Sequence, residues 1–312
     1  MLLVLALMID GLIGDLVDPE RDPADEVPAI EKVSVSRNGD LWLLDQHRLL
    51  CGDARKGADL QNLMGQDTAS MVVLDVGVSS TPGREQIKYR EFVGASGEPS
   101  NSEFDRFLVE ALSRAARHSA DGSIHYVFTD WRHLAEVLAA SQKVYGAPQN
   151  LVVWVKTNAG QGSLYRSQHE LVLVFKNGDG ADLNNFEPGR RRRSRSNVWT
   201  YADVNTFRSG RPADLADHST IKPVALIADA MRDCSKPGDI VLDLFVGSGT
   251  TIMAAERVGR RACGLDLDPL HVDAAVRRWQ AFTKRDAVLA GTTNSFEEVA
   301  ASRRAAKRGE RP

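Results

Sequence analysis

The segment Asp239-Ile-Val-Leu-Asp-Leu-Phe-Val-Gly-Ser-Gly-Thr-Thr251 runs apolar strand, glycine turn, helix start. Gly247 and Gly249 let backbone approach a bound group with no Cβ in the way. A helix opening near Thr250 offers unpaired N–H groups to an anion, and Gly259 is placed to stop it. Asp266 closes the following apolar run, nineteen residues after Gly247. A carboxylate at about that distance accepts both hydroxyls of an adenosine ribose. Residues 239–268 therefore read as a nucleotide-type cofactor site. A purely structural βαβ turn is the alternative that the spacing leaves open.

Two further groups of residues could do chemistry. Met71-Val-Val-Leu-Asp75 is a short apolar run ending in a carboxylate, either a catalytic acid or a turn acid at a strand end. Glu187-Pro-Gly-Arg-Arg-Arg-Arg-Ser-Arg195 places five arginines within six residues, a group suited to phosphates and guanine edges. The loop around Tyr165 and Arg166 adds polar and aromatic tips. His169 and His218 have no acid or cysteine partner at ligand spacing, so no metal site is expected. Cys51, Cys234 and Cys263 are far apart in apolar contexts and read as reduced, buried thiols.

The elements that must hold these groups alternate. Leu41–Leu44 and Arg48–Cys51 predict a hairpin. Strands are expected at 71–75, 124–129, 151–156, 170–176, 240–245 and 262–267, with 151–156 and 170–176 as neighbours. Helices are expected at 102–118 with Ser102 as N-cap, then at 131–142, 223–234, 250–257 and 269–282. Such alternation gives a mostly parallel sheet with helices on both faces. Residues 18–37, rich in Pro, Asp and Glu, read as a linker, and the basic tail as disordered. The chain of 312 residues is 43% hydrophobic and 26% charged, with a net charge of −3, which excludes a uniformly basic nucleic-acid binder but not a local patch. The apolar start at Met1–Leu7 is too short to span a bilayer. No export signal is evident, so a cytoplasmic protein is expected.

Asp243-Leu-Phe-Val-Gly-Ser-Gly-Thr-Thr251 closely resembles the Asp-Pro-Phe-x-Gly-Ser-Gly-Thr-Thr loop of the β-type DNA amino-methyltransferases. His218-Ser-Thr-Ile-Lys-Pro223, Gly264-Leu-Asp-Leu-Asp-Pro269, Leu50-Cys-Gly-Asp-Ala54, Trp154-Val-Lys156 and His169-Glu170 resemble other elements of that family, in family order. The resemblance covers about 38–287. It implies a Rossmann-like α/β fold, doubly wound around a mostly parallel seven-stranded sheet, with permuted motif order. It implies S-adenosyl-L-methionine as cofactor and double-stranded DNA as partner. A homodimer is compatible with it. Residues 1–37 would be an N-terminal remnant, resembling the end of a ParB-like module, and a linker. The DNA-recognition segment would occupy about 157–217, and 288–312 would be the tail.

By the same resemblance, Asp266 would hold the ribose and Asp53 the adenine amino group. Phe245 would lie against the adenine or methionine portion. Lys222 and the Thr250/Thr251 turn would contact the methionine carboxylate, with Asp243, Gly247, Ser248 and Gly249 shaping the loop. Arg190, Arg191, Arg192, Arg193, Arg195, Tyr165 and Arg166 would face DNA. The family's catalytic strand ends Asp-Pro-Pro-Tyr, or Ser-Pro-Pro-Tyr in cytosine enzymes. Here it ends Asp75-Val76-Gly77-Val78. The acid that accepts an N–H of the target amine is kept, and favours adenine. The prolines that aim the next carbonyl are lost, as is the ring that stacks on the flipped base, an interaction worth about 1–3 kcal/mol. Two readings stand at this point: a slow DNA methyltransferase, and a catalytically inactive relative that binds cofactor and DNA.

If the arginine run contacts phosphates, replacing Arg190–Arg193 with Ala lowers DNA affinity on all sequences. It also flattens the salt dependence by about 0.9 in log–log slope per lost contact. An unchanged slope in filter-binding titrations would make the run a solvated loop.

Overall fold

The computed structural model describes residues 22–76, 101–160, 164–185, 195–204 and 221–309. Gly77, Val78, Arg190–Arg193 and His218, with the apolar start of the chain, lie outside them.

Ten strands among the described residues form one sheet: β1 (Leu41–Leu44), β2 (His47–Cys51), β3 (Ala69–Asp75), β4 (Ser119–Thr129), β5 (Asn150–Lys156), β6 (His169–Lys176), β7 (Val198–Tyr201), β8 (Ile240–Asp243), β9 (Arg261–Asp266) and β10 (Val288–Leu289). Their order is β10-β1-β2-β9-β8-β3-β4-β6-β5-β7. The contiguous block β2-β9-β8-β3-β4-β6-β5 is the expected seven-stranded core, and β1, β10 and β7 extend its edges. From β2 to β4 the strands are parallel. β6 runs against both β4 and β5.

The helices are α1 (Gly57–Met64), α2 (Asn101–Arg117), α3 (Leu134–Tyr145), α4 (Val224–Cys234), α5 (Thr250–Val258), α6 (Pro269–Thr283) and α7 (Phe296–Gly309). Along β3 successive side chains point to opposite faces. Met71 and Val73 join the core under α4, α5 and α6, whereas Val72 and Leu74 join the core under α1, α2 and α3. A sheet covered on both faces explains why β3 and β8 read as continuous apolar runs. The three cysteines are buried free thiols. Among the described residues no helix is long and apolar enough to cross a membrane.

Four expectations are corrected. Ser102 lies inside α2, which includes Asn101, so it is not the N-cap. The helix expected from Trp131 starts at Leu134, because the Asp130 carboxylate accepts from the Arg132 and His133 backbone N–H groups and holds a turn there. Residues 22–36 are no free linker. Asp22 pairs with Arg257, Ala24 is fully buried, and the Asp273 carboxylate accepts from the N–H groups of Val35 and Ser36. The segment 288–309 is not a disordered tail. It forms β10 and α7, and Phe296, fully buried, packs on Trp42 with ring centroids 5.0 Å apart. Its basic residues masked an apolar stripe, Phe296, Val299 and Ala300, that sits at helical spacing.

Phe296→Ala should therefore destabilise the protein by about 3–5 kcal/mol, the usual cost of emptying a buried phenylalanine site. Urea denaturation reads this directly; an unchanged midpoint would return the segment to the status of a tail.

Candidate functional site

The chain leaves β3 toward β4 on one side and β8 toward β9 on the other, although β3 and β8 are neighbours. At such a switch point a crevice opens beyond the carboxyl ends of the strands. Asp75 ends β3 and Asp243 ends β8, so the two acids identified in the sequence stand side by side at this crevice.

The glycine loop is held by carboxylates. Asp243, 4% exposed, accepts from the Phe245 N–H at 2.9 Å and from the Thr251 hydroxyl at 2.6 Å. Asp266, 1% exposed, accepts from the Gly247 N–H at 2.9 Å and the Asp268 N–H at 3.0 Å. The two glycines do different work. Gly247 has φ +54°, and a Cβ there would meet nothing nearer than the Phe245 carbonyl at 4.0 Å, so its Cβ side is open. Gly249 has φ +89°, and a Cβ there would lie 2.9 Å from Ala275 Cβ, so its bareness lets α5 pack against α6 rather than admitting a ligand.

Asp53, Arg55, Phe107, Phe245 and Asp266 line a small pocket next to the loop, with Phe107 and Phe245 centroids 5.8 Å apart. The Asp53 carboxylate is gripped by Arg55, with Nη2–Oδ2 at 2.7 Å and Nε–Oδ1 at 2.9 Å. Burial would raise the Asp53 carboxyl, but the Arg55 hydrogen bonds outweigh it and hold it below the ordinary carboxylate range.

Lys222 makes contacts that the sequence did not signal. Its ammonium sits between Asp75 Oδ2 at 2.8 Å and Glu170 Oε2 at 3.0 Å, over the ring of Phe128. Lys156 continues the chain of charges, 2.7 Å from Glu170 Oε1 and 3.2 Å from Asp203. Burial would lower the lysine, yet the carboxylates of Asp75 and Glu170 raise it well above its ordinary value. Burial likewise opposes ionisation of Glu170, but Lys222 and Lys156 dominate and hold it low. Lys222 and Glu170 therefore face each other as a charged pair at neutral pH.

Arg278 was not anticipated. Its guanidinium, 2% exposed, donates to the Ser248 carbonyl at 3.1 Å, the Thr250 hydroxyl at 3.2 Å and the Ala24 carbonyl at 2.7 Å. Only its helical position on the buried side of α6 could have signalled it. Glu170 and Lys156 were visible as motif letters but carried no role. Tyr165 is 85% exposed on the β5–β6 loop, where Arg166 donates to the Ala159 and Gly160 carbonyls. Arg195 is engaged internally. It pairs with Asp233 at 2.7 Å, donates to the Tyr201 hydroxyl at 2.6 Å and stacks 4.0 Å over Trp199. Trp199 and Tyr201 are in register with Trp154 and Lys156 of β5, and with these internal partners Arg195 is a structural anchor.

The profile of the N6/N4 family, DNA methylase, matches residues 79–277. The chain belongs to this DNA methylase family, whose methyl donor is S-adenosylmethionine. Among curated proteins it is similar to the type II methyltransferase M.HpaI of Haemophilus parainfluenzae, 24% identical over 253 residues, 75% of this chain and 74% of that protein. It is also similar to the type II methyltransferase M.HinfI of Haemophilus influenzae, 29% identical over 189 residues, 56% of this chain and 51% of that protein. In fold it is similar to PvuII DNA methyltransferase, cytosine-N4-specific, at a TM-score of 0.57 and 14% identity, over 90% of this chain and 97% of that one. A putative DNA modification methylase from Thermus thermophilus, crystallised with S-adenosyl-L-methionine, gives 0.54 and 21% over 80% of this chain and all (100%) of that one.

The different roles of the two glycines give a contrast. Gly247→Ala should cost only the left-handed backbone penalty, about 1–2 kcal/mol. Gly249→Ala adds a collision with α6 and should cost visibly more in thermal unfolding. Equal costs would contradict the packing role of Gly249.

Proposed function

We propose that this chain transfers a methyl group from S-adenosylmethionine to an exocyclic amino group of a DNA base, adenine N6 in preference to cytosine N4. The observation that carries this reading is the placement of Asp75 beside the glycine loop, at the ends of adjacent strands. The site fits the cofactor: an open glycine for close backbone approach, Phe245 for a ring, and Asp53 and Asp266 as acceptors for amino and hydroxyl donors. When bound, the cofactor supplies an electrophilic methyl on sulfonium.

This chain's residues do the rest. The base amine is a poor nucleophile because its lone pair is delocalised into the ring. Asp75 Oδ1 and the Val76 carbonyl are the acceptors that draw its N–H bonds while the nitrogen attacks. The nitrogen's extra proton leaves by way of the carboxylate to solvent. Lys222, held by Glu170, fixes Asp75 from behind. That clamp supplies part of the aim which prolines at 76 and 77 would otherwise provide. Small misplacement of reacting groups costs about 100-fold, so the variant Asp-Val-Gly-Val ending makes the reaction slow. Retained Asp rather than Ser at 75 supports adenine.

Asp266→Ala should weaken cofactor binding at least about tenfold in calorimetric titration, since charge-assisted hydrogen bonds worth roughly 1.5–3 kcal/mol are lost. Asp75→Asn should leave that binding within about twofold and abolish methyl transfer to mixed-sequence duplex DNA. Val76→Pro, Gly77→Pro and Val78→Tyr together should raise the transfer rate by about 100-fold or more. Cofactor binding with no transfer in either the natural or the restored chain would replace this reading with that of an inactive cofactor- and DNA-binding relative.

A further inference from the structure

In the sequence Val78 occupies the motif position at which the family carries its base-stacking ring, so a base at this site needs another flat partner. Of the five tryptophans in the chain, four are buried: Trp42, Trp154, Trp199 and Trp279, none more than 5% exposed. Trp131 is 56% exposed. An exposed indole presents a large flat apolar face that invites a stacking partner.

Its position supplies one. Phe128 of β4 is in register with Asp75 of β3, and Trp131 follows three residues later. Adjacent strands lie about 4.8 Å apart and rise about 3.3 Å per residue. Trp131 is thus within roughly 11 Å of the level of Asp75, on the same end of the sheet and within the reach of one extruded nucleotide. The turn carrying it is tied by hydrogen bonds. Asp130 Oδ1 accepts from the N–H groups of Arg132 at 2.9 Å and His133 at 3.0 Å, and contacts His133 Nδ1 at 2.8 Å. The His133 ring in turn packs edge-on to Phe104 of α2. An aromatic on a fixed turn stacks with little further loss of side-chain freedom. The Arg132 guanidinium lies 5.1 Å from the indole centroid, bringing a cation next to the plane where a nucleotide's phosphate would arrive.

We propose that Trp131 is the base-stacking platform of this site, taking the place of the ring that Val78 does not supply. The proposal rests on the methyl-transfer reading for its choice of substrate, but its test is independent of turnover. The occupant is an unstacked nucleobase, and any base is accepted because each presents a π face.

Because the other four indoles are buried, iodide-quenchable emission of the full chain reports Trp131. Saturating the cofactor-loaded protein with a mixed-sequence single-stranded oligonucleotide should quench that emission and shield it from iodide. An abasic strand of equal length, which offers phosphates without bases, should do neither. Trp131→Leu should weaken the base-bearing strand at least about fivefold and leave both abasic-strand affinity and S-adenosylmethionine affinity unchanged; Trp131→Phe should keep most of the binding. Quenching by base-bearing strands in a protein that transfers no methyl groups would support the platform while removing the methyl-transfer reading. Equal quenching by both strands, or unchanged oligonucleotide affinity and unchanged turnover in Trp131→Leu, would overturn the platform and leave that reading intact.

Discussion

The top of this sheet is organised around one buried cation. An ammonium taken out of water is tolerated only with close counter-charges and good geometry. Lys222 has both, in Asp75 and Glu170. Those carboxylates come from β3 and β6, which flank β4, and the lysine comes from the residue pair that opens α4. Removing either carboxylate would leave charge stranded between layers. The register of β3, β4 and β6 and the seating of α4 are therefore coupled to the same point that sets the direction of Asp75.

The cofactor loop obeys a similar logic with the signs reversed. Its glycines give freedom, and two buried carboxylates withdraw it again. Asp243 fixes the start of α5 through Thr251, and Asp266 ties Gly247 to the end of β9. Both acids thus have duties inside the fold before any ligand arrives. Each carboxylate oxygen has a second lone pair, so an acceptor that orients the loop remains able to take a hydroxyl.

Strands and helices of the central block were legible in the sequence because their apolar periods were uninterrupted and bounded by glycines, prolines and acids. Asp75, Asp243, Gly247 and Asp266 could be placed for the same reason: each stands at the end of an apolar run. What escaped was interaction across the fold. Nothing local says that Lys222 pairs with Asp75 and Glu170, that Arg278 braces Ser248, or that Arg195 faces inward beside Trp199. Long-range partners do not leave a periodic trace. Residues 22–36 and 288–309 were misjudged because polar composition concealed a few anchoring contacts, Ala24 and Phe296 above all.

Those two segments meet. Arg303 of α7 donates to the Val35 carbonyl at 2.7 Å and pairs with Asp40, while Glu31 lies between Arg277 and Arg304. The two flanks of the domain are thus stitched together at a single corner of the molecule, beside β1 and β10 and away from the crevice. A linker joining the end of α7 to the segment that begins at Asp22 would close the backbone into a ring while keeping Ala24 in the core and every strand in place. Opening the ring at a different surface loop would then yield the same architecture with its functional segments in another linear sequence. Order along the gene and arrangement in space are, for this architecture, separable properties.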